Sequence, residues 1–134
     1  MSKAHVLGLM ALQEKARMAR TLADLRRVIR QKDETEQLVA RLTEALARQG
    51  GGASVRLATE IMAERAMAAQ LLAEVDRQRE RVAALAVQVA EVQAKLGVQE
   101  QRHQKLVDEA GTALRQAAAE RLALREAAMP PRRR

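Results

Sequence analysis

The 134 residues include no Trp, Tyr, Phe or Cys, and only two Pro and six Gly. Each shortage excludes something. Without aromatics, the side chains that usually dominate a globular core are missing, and a compact, aromatic-lined pocket is not expected. Without cysteine there are no disulfides, thiol nucleophiles or Cys-based zinc sites. So little proline and glycine leaves too few breaks for the turns of an all-β domain. Long apolar runs are also missing. Val6 to Leu12 is apolar over seven positions and then meets Gln13-Glu14-Lys15, well short of the ~18 residues of a membrane helix and weak as a signal peptide. A soluble, cytoplasmic protein is expected, of one domain at most.

What fills the gap is helix-forming material: 28 Ala, 17 Leu and 19 Arg, all high on the helix scale. The 48% apolar content separates the chain from disordered tails. One boundary stands out, Gly50-Gly51-Gly52, followed by Ser54 as a helix N-cap. The pattern predicts a single all-α coiled-coil hairpin: helix 4–48, turn 49–54, helix 55–128 and a basic tail 129–134. Helices of about 45 and 74 residues would span about 68 and 111 Å, too long to be stable unless they pair along their lengths.

Heptads support the pairing. In the second helix, a positions run Ile61, Ala68, Val75, Val82, Val89, Leu96, His103, Ala110, Ala117, Leu124. The d positions run Leu57, Glu64, Leu71, Gln78, Leu85, Val92, Gln99, Leu106, Ala113, Glu120. Fifteen of these twenty are apolar, without a slip in register. The first helix is less regular. Ala11, Met18, Leu22, Leu25, Ile29, Val39 and Leu46 hold one register, together with Lys15, Lys32, Glu36 and Thr43. Arg30 to Gln37 is a wholly polar stretch that weakens the seam or shifts it toward Leu38 and Leu42.

In an antiparallel pair the facing residue numbers add to a constant, and these registers permit 100 or 107. The first sets Leu25 against Val75 and Ile29 against Leu71; the second sets Leu22 against Leu85. Either way the first helix runs out opposite residues 96–103, and about 25 to 30 residues of the second project alone. Leu106, Ala110, Ala113, Leu114, Ala117, Leu122 and Leu124 would then form an unpartnered apolar stripe. At about 25 cal/mol per Å² such a stripe favours binding a partner. Gly97 and Gly111 in this arm are hinges or simply tolerated exposed glycines.

The net charge of +7 is uneven. Residues 1–49 hold ten bases and six acids, residues 50–129 eleven of each, and Arg132-Arg133-Arg134 supply the rest. Arg17, Arg20, Arg26, Arg27, Arg30 and Lys32 are opposed only by Asp24. Such a run is a solvated face, a dock for an acidic protein surface, or a contact for nucleic-acid phosphates. The last lacks stacking aromatics, helix-turn-helix spacing and zinc-finger spacing.

Catalysis needs convergent groups in a water-excluding pocket, and a helix pair of this composition predicts none. No GxxxxGK[ST] or GxGxxG occurs, and the triple glycine reads as a turn rather than an anion nest. His5 and His103, with Glu100, could meet at one end of the hairpin, but a polar residue in the seam explains them better than a metal. The six methionines, Met10, Met18, Met62 and Met67 among them, read as gap-fillers. Neither cofactor nor metal is expected. The candidate partner-binding residues are Arg17, Arg20, Arg26, Arg27, Arg30, Leu106, Leu114, Leu122 and Leu124.

The unequal hairpin, the pattern Leu9, Leu12, Lys15, Ala16, Ala19, Leu22 and the ending Arg125-Glu126-Ala127-Ala128-Met129 before basic residues resemble the flagellar export stalk protein (FliJ) family and its type III secretion relatives. The resemblance spans nearly the whole chain. It implies a cytoplasmic stalk whose terminal end enters a hexameric export ATPase ring, reaches the membrane-embedded export gate and contacts export chaperones. The overhanging helix and the Arg17 to Arg30 face would be the natural contacts. The alternatives are a coiled-coil scaffold that oligomerises through its C-terminal arm, and a nucleic-acid-binding helical protein.

Overall fold

The computed structural model describes residues 2–49 and 57–131. The triple glycine, Ser54 and the three terminal arginines lie outside the described residues. Two helices, α1 (Lys3–Arg48) and α2 (Ala58–Ala128), pack against each other as an all-α hairpin whose second helix is the longer. No described residue is in a strand.

Local chemistry sets the ends. Ser2 caps α1: its Oγ accepts from the His5 N–H at 3.2 Å and its carbonyl from the Val6 N–H at 3.1 Å. At the far end Arg48, in the last turn, pairs with Glu44 at 2.5 Å, placing a cation beside the helix's negative end. α2 opens with the Leu57 carbonyl accepting from Glu60 and Ile61, and Glu60 puts an acid in the first turn. It closes with Arg125 in the last turn and Met129 donating to the Glu126 carbonyl at 3.3 Å; Pro130 and Pro131 cannot extend it.

The described residues cluster into two units, each built from both helices: Met1–Leu22 with Ala94–Arg134 (the terminal unit), and Ala23–Gln93 (the loop unit). In the loop unit the covered stripe of α2 reads Glu64, Ala68, Leu71, Val75, Gln78, Val82, Leu85, Val89 and Val92, the a and d positions expected from the heptads. Val28 and Val75 are its most enclosed side chains, at 0% and 2% exposure, with Leu25 and Leu85 also buried. Each such side chain contributes about 1.5–3 kcal/mol by leaving water.

α1 departs from expectation by one residue in half of its stripe. Ala11, Met18, Leu25, Lys32, Val39 and Leu46 are covered as expected. The second row is Glu14, Thr21, Val28, Thr35 and Leu42, whereas Lys15, Leu22, Ile29, Glu36 and Thr43 are exposed. A seam needs alternating steps of three and four, so with one row fixed the other can lie on either side of it. Threonine makes the observed side workable: Thr21 and Thr35 donate to the carbonyls of Arg17 (3.1 Å) and Gln31 (2.7 Å) and so enter the seam with their hydroxyls satisfied. The polar stretch from Arg30 to Gln37 therefore stays in heptad register.

In the terminal unit the stripe of α2 continues through Leu96, Gln99, His103, Leu106, Ala110, Ala113 and Ala117. Lys3 and Ala4 share a surface cleft with Ala113, Gln116 and Ala117. These cross-helix neighbours have numbers that add to 116–121, above both expected sums in this unit. Ala113, expected to be unpartnered, is 8% exposed. The overhang expected to begin near residue 100 begins instead after Ala117, leaving residues 118–128 of α2 uncovered. At the loop end, Leu57, Ile61 and Met62 are also uncovered, at 70%, 40% and 70% exposure. The expected pairings failed because they assumed that α2 joins the seam from its first turn.

Candidate functional site

The terminal unit combines a poor seam with an apolar exterior. Its buried residues include Leu7, Ala11 and Ala113 but also Glu14 at 5% and Gln99 at 7% exposure. Glu14 Oε2 accepts from Arg17 at 3.3 Å, but Glu14 Oε1 and Gln99 Oε1 are buried without a partner. Two half-satisfied polar groups make a seam weaker than its burial suggests. Outside, Val6, Leu9, Met10 and Leu12 are 42–63% exposed on the first turns of α1. On α2, Val107, Leu114, Leu122 and Leu124 are 43–70% exposed. A surface cleft with an apolar wall joins Ala4, Gly8, Leu9 and Leu12 to Leu114.

The candidate residues divide accordingly. Leu106 is half-buried in the seam, so it is not part of an open arm. Leu114 stands on the flank beside the seam, and Leu122 and Leu124 lie in the uncovered end with Arg121 and Arg125. In the terminal unit, Arg17 is held by Glu14, while Arg20 is exposed and has no ion pair among the described residues. In the loop unit, Arg27 pairs loosely with Asp24 at 3.7 Å, and Arg26 and Arg30, one turn apart, are exposed without an ion pair among the described residues. Sequence reasoning missed the apolar first turns of α1. The signal was there: Val6, Leu7, Leu9, Met10 and Leu12 cannot all face one seam at helical spacing.

The clefts are open grooves on the helix surfaces. Among the described residues no cluster of His, Asp or Glu could hold a metal, and His5 lines the Leu114 cleft while His103 sits half-buried in the seam. No helix among the described residues is long and apolar enough to cross a membrane. In the loop unit, hydrogen bonds from Gln78 (2.8 Å) and then Arg77 hold the Glu74 carboxyl below its usual range. The arrangement suits contact between surfaces. No family model, curated protein or solved structure matches the chain.

Proposed function

We propose that the chain is a non-enzymatic coiled-coil component of a flagellar or type III protein export apparatus, acting as the stalk or chaperone escort of its hexameric ATPase. The supporting observation is the free end of α2. Residues 118–128 are all exposed, and Leu122, Leu124 and Met129 are 57%, 70% and 70% exposed beside Arg121 and Arg125. A helix end with exposed apolar side chains on more than one face, interspersed with cations, fits an acidic-rimmed ring opening or gate. On this reading the protein works in the cytoplasm, at the inner face of the export gate, and uses no cofactor.

The test is to mix the purified protein with a hexameric export ATPase and follow co-elution and ATP turnover. Stimulated turnover is expected, and no co-elution and no change in turnover with any such ATPase would defeat the reading. Truncation after Ala117 should abolish the effect while sparing the seam, because the covered stripe of α2 ends there. A cut near residue 100 would be uninformative, since it also strips α1 of Leu106, Ala110 and Ala113.

A further inference from the structure

One flank of α2 in the terminal unit repeats every seven residues just beside the seam: Glu100, Val107, Leu114 and Arg121. Val107 and Leu114 are 43% and 58% exposed. Glu100 and Arg121 are exposed, and neither has an ion pair among the described residues. We propose that this flank is a self-complementary interface on which a second copy of the chain packs, with its α2 antiparallel.

In a two-fold contact, if residue i meets j then j meets i. Reversing the stripe on itself sets Glu100 against Arg121 of the second copy, Val107 against Leu114, and both contacts again by symmetry. The apolar pairs lie at the centre and a salt bridge closes each end. Reversed charge order at equal spacing is what an antiparallel self-contact requires; a parallel one would set like charges together. The neighbouring row, one turn round, reads Gly97, Gln104, Gly111 and Ala118, and reversal sets Gly111 against Ala110, half a residue from the axis. A Cβ built on Gly111 meets only Arg115 Nη1 at 3.8 Å, and one on Gly97 meets nothing within 4 Å. Packing within the chain therefore does not require these glycines, although each disfavours helix. At a crossing point they let two backbones approach closely. A footprint of about 32 Å by about 10 Å, widened by Leu12 across the cleft from Leu114, gives about 700 Å² in total, the size of a weak, transient contact.

Sedimentation equilibrium of the full chain from about 1 to 200 µM should show monomer and dimer, with a dissociation constant on the order of 10 µM. Glu100→Arg and Arg121→Glu should each weaken the dimer about tenfold, and the two together should restore it, because the pair is only exchanged. The chain has no cysteine, so Gly111→Cys gives a single thiol beside the proposed axis, and Leu57→Cys, at an exposed site in the loop unit, gives the control. Mild oxidation should cross-link the first at concentrations that leave the second monomeric. A monomer throughout the range, a dimer indifferent to both charge changes, or equal cross-linking of the two thiols would each overturn the interface. None of these readouts depends on an export ATPase.

Discussion

The loop unit and the terminal unit use one heptad pattern to opposite ends. In the loop unit the most enclosed side chains are large and apolar: Leu25, Val28, Val75 and Leu85 are buried, the buried Thr35 bonds to its own helix, and Met67, Leu72 and Val87 stand exposed outside the seam. In the terminal unit the buried set is smaller and more polar: Leu7, Ala11 and Ala113 are buried along with Glu14 and Gln99, while Leu9, Leu12, Val107 and Leu114 face out. An aromatic-free chain can still choose where to spend its leucines and valines. Here the fully buried ones, Val28 and Val75, lie in the loop unit, and the terminal unit fills more of its seam with alanine and polar side chains.

The comparison breaks most visibly through the loop unit's core. Leu85→Ala should cost about 3 kcal/mol of unfolding free energy, read by urea denaturation. Leu114→Ala should stay within about 0.5 kcal/mol for the monomer, as an exposed site, and its effect should be on association. If the two variants lose equal stability at micromolar dilution, the units do not differ as described. In the other direction, Glu14→Leu and Gln99→Leu should each stabilise the chain by about 1 kcal/mol, since each removes an unpartnered buried oxygen. A loss in both would show those oxygens to be satisfied.

Smaller effects sharpen the picture. Gly97→Ala has open space for its methyl and should raise helix stability by up to about 1 kcal/mol at dilution, seen as a higher melting temperature. The smallest effect concerns Glu74. Its carboxyl is held below its usual range by Gln78 and Arg77, so the folded state binds its proton less readily than the unfolded chain. That contribution is present above the unfolded value and is lost as pH falls through the lowered folded one. Glu74→Gln should therefore give a slightly less stable protein at neutral pH, with the gap closing in acid; a gap unchanged down to the acid limit would contradict the assignment.

Much of this was legible in the sequence. Valine and leucine at a and d fixed the stripe of α2 because only one register keeps them together. In α1 the row of Ala11, Met18 and Leu25 was equally plain, but its companion was not. Leu22 and Ile29 look better on paper than Thr21 and Val28, and nothing in hydropathy shows that a threonine can satisfy itself on its own backbone. The pair register escaped because it depends on how far α2 runs before meeting α1, a length no heptad encodes. That error moved the open end from near residue 100 to beyond Ala117 and turned Leu106 from a docking candidate into a seam residue. Leu114, Leu122 and Leu124 kept their exposure.

Amide hydrogen exchange at about 5 and about 200 µM tests the contrast between the units most directly. Dilute protein should exchange faster in the terminal unit, over residues 3–22 and 97–121, than around Val28, Val75 and Leu85. At the higher concentration protection should rise along the Glu100 to Arg121 stretch and stay unchanged in the loop unit. Equal protection of both units at both concentrations would contradict the account.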